Sequence, residues 1–198
     1  MKLPERGPSQ VRIGIAIEVP EPYAAELQAA RAAFGDPQAG AIPPHITVVG
    51  PTVVDESVLP AVWAHLEKVA AETPGFRVHL RGTGTFRPIS PVVFVTVAEG
   101  IAECELLEQG VRSGVLAQEL RFNYHPHVTV AHEVSEADLD RAFDEMADYE
   151  ATFDVEHVWQ YEHGDDGVWR PQRSFQLAPA PQSARDRRAW LAGARFPS

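Results

Sequence analysis

The chain has 198 residues, 44% of them apolar and 23% charged, an ordinary balance for one globular domain with its own core. Its formal net charge of -11 repels polyanions over the surface as a whole, which excludes a habitual duplex nucleic-acid binder. A small nucleotide or the end of an RNA strand stays compatible, because a local arginine cluster acts at short range. Cys104 is alone, so neither an intramolecular disulfide nor a cysteine-rich zinc site can form, and a reducing cytoplasm fits best. No stretch reaches the roughly twenty apolar residues of a membrane helix, and MKLPERGPSQ lacks the apolar centre of a signal peptide. A cytoplasmic protein without membrane attachment is expected.

Residues 1–10 carry two prolines and a glycine with no apolar period and read as a flexible leader. VRIGIAIEV, residues 11–19, alternates β-branched residues with others and predicts a strand ended by Pro20. Residues 22–34 predict a helix with proline in the first turn and Gly35 after its end. AIPPHITVVGP then predicts a short strand carrying His45. Residues 57–72 have apolar residues at helical spacing and lead into FRVHLRG, a further strand. After the loop TGTFRPIS come a strand at 91–97, a helix at 101–117 and the strand HVTVA at 127–131. Residues 151–162 and 168–177 predict a hairpin of the second half, with HGDDG as its turn. The remainder, 178–198, is rich in proline and arginine and reads as a flexible tail with solvated charges at Arg185, Arg187, Arg188 and Arg195.

The order strand, helix, histidine strand, helix, strand occurs twice. Val11 lies 34 positions before His45 and Val92 lies 35 before His127, so the histidines hold equivalent places in two similar halves, about 11–82 and 91–177. Such a unit packs about a pseudo-twofold axis, and residues 11–177 form one domain.

Side chains at i and i+2 of a strand share a face, so His45 projects with Thr47 and His127 with Thr129. Eight histidines and eight threonines in this length produce roughly 0.3 such pairs by chance; two stand here, at matching places. A free imidazole has a pKa of about 6.5, so of two in one cleft one can be neutral and the other protonated near neutral pH. The neutral ring takes a proton from attacking water while the imidazolium gives one to a departing oxygen. The threonine hydroxyls donate to the non-bridging phosphate oxygens, where transition-state charge collects. That scheme needs no metal or cofactor.

PPHITVVGP and YHPHVTVAH resemble the paired His-x-Thr motifs of the two-histidine (2H) phosphoesterase superfamily, in particular its 2′-5′ RNA ligase-like, or RNA 2′,3′-cyclic phosphodiesterase, branch. The resemblance extends over residues about 11–177 and includes GTGTFRP between the halves. It implies a bilobal, duplicated α+β fold, with two antiparallel sheets lining a central cleft and helices outside. It also implies cleavage of 2′,3′-cyclic phosphates of RNA ends or small nucleotides to 2′-phosphates, with 2′-5′ ligation as the reverse reaction, by His45 and His127. RNA-acting members often follow the second motif with an arginine. His132 takes that place here, which favours a small cyclic nucleotide or an ADP-ribose cyclic phosphate over a long RNA.

Further substrate contacts are expected from Phe86 and Arg87, an aromatic and a guanidinium in the glycine-rich loop, and from Tyr124 just before the second motif. His125, His127 and His132 could be read as metal ligands, but no carboxylate or cysteine stands at a convincing spacing beside them. His65, His79, His157 and His163 lack a partner motif and read as surface or packing residues. The remaining alternative is a protein that binds a nucleotide or RNA end without turnover. A monomer is expected.

Overall fold

The computed structural model describes residues 3–194. Eight strands form two four-stranded antiparallel sheets. Strands β1 (Gln10–Glu18), β2 (His45–Asp55), β7 (His157–His163) and β8 (Trp169–Gln176) form the first, in the order β2-β1-β7-β8. Strands β3 (Phe76–Thr85), β4 (Val92–Glu99), β5 (His127–His132) and β6 (Glu150–Val155) form the second, in the order β5-β4-β3-β6. This is the expected bilobal α+β architecture.

The sheets cut across the sequence halves. In each sheet a central strand, β1 or β4, is flanked by the histidine strand of its own half and by a strand from the other half, β7 or β3. The hairpin expected to belong to the second half therefore lies in the first sheet. Residues 150–163 make two strands rather than one arm, because Glu156 separates β6, paired with β3, from β7, paired with β1. An exchange of this kind ties the lobes together, since neither sheet is complete without chain from both halves.

The helices cover the outer faces. Helix α2 (Leu59–Glu72) buries Val62, Leu66, Val69 and Ala70, the i, i+4, i+7, i+8 stripe its sequence presents, and packs on β8 and on α3 (Ile101–Val111). Helix α4 (Glu136–Glu145) opens with Ser135 accepting from the Asp138 amide and lies against β3, β4 and β5. Helix α1 (Tyr23–Ala33) buries Leu27 and Arg31 on one face. Val78, Leu80, Val93, Val95, Val128, Val130 and Ala131 are among the residues of the continuous core.

Two segments differ from the sequence expectation. Residues 184–193, read as flexible tail, form helix α5, capped by Ser183. It is held by Arg187, whose guanidinium bonds the buried Glu103 carboxylate, and by the Trp190 indole donating to the Glu72 carbonyl at 3.3 Å. Its sequence hid this because the partners lie some 80 to 120 residues away. The leader is also engaged, with Arg12 donating to the Pro4 carbonyl and Arg6 to Asp165. Arg195 lies outside the described residues. No helix among the described residues is long and apolar enough to cross a membrane.

Gly84 lies opposite Phe94 on the neighbouring strand, and a Cβ there would come within 2.5 Å of the Phe94 ring. Gly84→Ala is expected to lower the unfolding free energy by about 1–3 kcal/mol through overpacking, read as a lower urea midpoint. An unchanged midpoint would show that the ring has room to move.

Candidate active site

The histidine strands share one irregularity. On β2, Thr47 pairs with Ala16 and Val49 with Ile15, so Val48 is an extra residue; on β5, Thr129 pairs with Phe94 and Ala131 with Val93, so Val130 is extra. A one-residue bulge reverses the face of everything after it. Val48 and Val49 both point into the core, as do Val130 and Ala131, and the sixth position of each strand returns to the cleft. That position is Gly50 on β2 and His132 on β5.

His45, Thr47, His127 and Thr129 line a single cleft of about 480 Å³ between the sheets. Both imidazoles are held alike. Nδ1–H of His45 donates to the Pro43 carbonyl at 2.7 Å, and Nδ1–H of His127 to the His125 carbonyl, also at 2.7 Å. The acceptor fixes the tautomer in each case and leaves Nε2 as the lone-pair nitrogen. In His45 that nitrogen lies 3.1 Å from Thr47 Oγ1, which donates to it.

The rings differ in surroundings. His127 meets the edge of Phe86 at 5.0 Å and the tilted ring of Phe94 at 4.9 Å, with His125 stacked at 6.2 Å between centroids. Burial in this setting, opposed by the bond to His125 and reinforced by the fields of His125 and His45, lowers its pKa to about 4. His45 is lowered as well, first by burial and then by the Arg31 charge, against the bond to Pro43. Both rings are therefore neutral at pH 7 in the free protein.

The other expected contacts divide. Phe86 lines the cleft. Arg87 turns away from it, its Nη1 bonding Glu136 at 2.9 Å and Asp140 at 2.7 Å on α4, so it braces the loop against that helix instead of facing a ligand. A sequence cannot show that two acidic residues fifty positions later take up the guanidinium. Tyr124 is also absent from the cleft lining. Its hydroxyl donates to the Thr47 carbonyl at 2.9 Å, tying the approach to β5 to the strand of the first motif. Burial holds that phenol protonated, so it remains a donor.

Several cleft residues carried no motif. His163, read as packing or surface, is buried and lines the cleft beside Trp169 at 5.0 Å, with its Nδ1 accepting from Arg12 at 2.8 Å. Arg31 lines it from α1. Its one signal in the sequence is its place four residues after Leu27, on the apolar face of the helix. Among the described residues no three histidine, cysteine or acidic side chains are grouped to hold a metal ion.

Comparison with known proteins follows the same lines. A profile of the 2′-5′ RNA ligase superfamily matches residues 19–167. A Bacillus cytotoxicus protein carrying a provisional phosphoesterase name is 31% identical over 147 residues, 72% of this chain and 83% of that protein. A similarly named protein of Bacillus thuringiensis is 29% identical over the same length and the same shares of both chains. Among solved structures, E. coli LigT complexed with 3′-AMP superposes with a TM-score of 0.60 at 18% identity, over 85% of this chain and 98% of LigT. A Thermus thermophilus protein, TT0787, gives 0.54 at 22%, over 85% and 98%. These last two likenesses are of fold. With three-quarters of its length matched by the profile and its fold shared with LigT, the chain belongs to the 2′-5′ RNA ligase superfamily of 2H phosphoesterases.

Proposed function

We propose that the protein is a metal-independent phosphoesterase that opens 2′,3′-cyclic phosphates of small nucleotides or RNA ends to 2′-phosphates. The observation that carries this reading is the pair of His-x-Thr faces in one cleft, each imidazole anchored through Nδ1 with Nε2 as its lone-pair nitrogen. A cleft of about 480 Å³ suits a mononucleotide. LigT, similar in fold, has been crystallised with 3′-AMP, NADP+ and ATP, which supports a nucleotide ligand.

In the reaction, Nε2 of one histidine accepts a proton from water as its oxygen bonds to phosphorus. The other histidine, protonated, delivers a proton to the ribose 3′-oxygen as its bond to phosphorus breaks. Thr47 and Thr129 donate to the non-bridging oxygens as charge grows there. The ligand's negative charge opposes the effect of burial, raising the affinity of one ring for a proton. With the 5′-hydroxyl of a second strand in place of water, the same groups open the cyclic phosphate to a 2′,5′-linked diester, one ring taking the hydroxyl proton and the other protonating the departing 3′-oxygen.

Hydrolysis of a 2′,3′-cyclic nucleotide panel is expected to proceed in EDTA to the 2′-phosphate, and to fall about a hundredfold or more in His45→Ala and in His127→Ala. Full activity in either variant, or tight binding of the panel with no product from the wild type, would overturn the reading. The second result would select a binding protein.

The singly protonated pair is populated in the free enzyme on the acid side of the ordinary histidine value of 6.5, because both rings are lowered. The kcat/KM profile is therefore expected to peak below pH 6.5 and to decline toward pH 8; a profile still rising above pH 7 would contradict the assignment.

The same shifts act on stability. Between pH 6.5 and about 4 the unfolded state binds protons that the folded His127 refuses, so stability is lost as pH falls through that window. Urea midpoints of wild type and His127→Gln are expected to converge or cross on going from pH 7 to 4.5, with the wild type losing more. Parallel declines would show that His127 titrates normally.

A further inference from the structure

Arg31 is 3% exposed, a burial that a permanent cation tolerates when it is paired. Asp36, 5% exposed, accepts from its Nε at 2.7 Å, and the Ile42 carbonyl accepts from Nη1 at 3.4 Å. Asp36 also accepts from the Gln38 amide at 2.8 Å, so the segment between α1 and the first motif is folded around the pair. These bonds occupy Nε and Nη1 of the guanidinium. Among the described residues Nη2 has no hydrogen-bond partner, and Arg31 and Gln38 both line the cleft. The Arg31 charge is felt at His45 on one side and at His132 on the other.

His132 reaches the cleft face because of the Val130 bulge, three residues after Thr129 where an unbroken strand would have turned it inward. Burial and the Arg31 charge disfavour its protonated form, which Glu133, 3.6 Å from its Nε2, and Asp36 favour. The equivalent position on β2, Gly50, has no side chain, and nothing lies within 4 Å of where a Cβ would be. The pseudo-symmetric cleft therefore carries an arginine and a histidine at one flank and is open at the other.

We propose that Arg31 and His132 form a second anion subsite beside the two-histidine centre, and that the substrate carries a further phosphate besides the one that reacts. The inference rests on reading the cleft as a phosphoesterase site and names its substrate class: a cyclic phosphate whose nucleoside also bears a phosphate or diphosphate. Nη2 of Arg31 donates to that second group, and His132 adds a donor once the anion draws a proton onto it. Binding there fixes the direction in which a ligand lies across two otherwise equivalent His-x-Thr faces, and with it which histidine meets the leaving oxygen.

The test compares kcat/KM for adenosine 2′,3′-cyclic phosphate with that for its 5′-phosphorylated counterpart. Wild type is expected to favour the 5′-phosphorylated compound by about tenfold, mainly in KM. In His132→Phe, and in the double variant Arg31→Gln with Asp36→Asn, which leaves no buried charge unpaired, the ratio is expected to fall toward one. Equal values in wild type, or a ratio preserved in His132→Phe and in the double variant, would overturn the subsite. If wild type turns over neither compound, the cyclic phosphodiesterase reading fails, and calorimetry still decides the subsite. Adenosine 3′,5′-bisphosphate binding about tenfold tighter than adenosine 3′-phosphate upholds it, and equal affinity overturns it.

Discussion

The site depends on a short hydrogen bond made twice: the Nδ1–H of a strand's first histidine donating to the carbonyl two residues earlier. An imidazole free to rotate offers either nitrogen in either tautomer. Anchoring Nδ1 to a backbone acceptor removes that freedom and leaves Nε2 as the lone-pair nitrogen. Prolines help to supply the acceptors. Pro43 and Pro44 precede His45, and Pro126 precedes His127, holding the chain extended where it enters each strand.

Around this bond the two lobes repeat each other closely, down to register. Each histidine strand is bulged at its fourth residue, so each gives two side chains to the cleft, two successive ones to the core, and a sixth back to the cleft. Exchange of β3 and β7 between the sheets, and the Tyr124 bond to the Thr47 carbonyl, hold the two faces at a fixed separation. The symmetry is broken at chosen points. His127 is walled by Phe86 and Phe94, whereas His45 lies within the field of Arg31; His132 faces the cleft where Gly50 leaves it open. A symmetric scaffold with asymmetric flanks gives two chemically alike histidines different surroundings.

Much of this was legible in the sequence. The β-branched runs, the helix periods and the recurrence of His-x-Thr gave the elements and the four central residues, because strand alternation alone puts i and i+2 together. What escaped depended on distant partners. Arg87 had the right chemistry and a plausible loop, yet two acidic residues on α4 take its guanidinium. The Tyr124 hydroxyl is taken by a carbonyl of the other lobe. Helix α5 owes its place to Glu103 and Glu72, which no local pattern of its own residues announces. His132 was visible as a departure from an arginine, but its position in the cleft follows from a bulge, and bulges leave little trace in a run such as VTVAH. Arg31 gave no more sign than an arginine on the apolar stripe of an alanine-rich helix.

The most direct test of the account is nitrogen-15 NMR of the histidine side chains, assigned through the His45 and His127 variants, in the free protein and with adenosine 2′-phosphate bound. The account predicts two neutral Nδ1–H rings in the free protein at pH 7, and uptake of a proton at Nε2 of one of them when the phosphate enters. Two Nε2–H tautomers, or rings indifferent to the ligand, would contradict it.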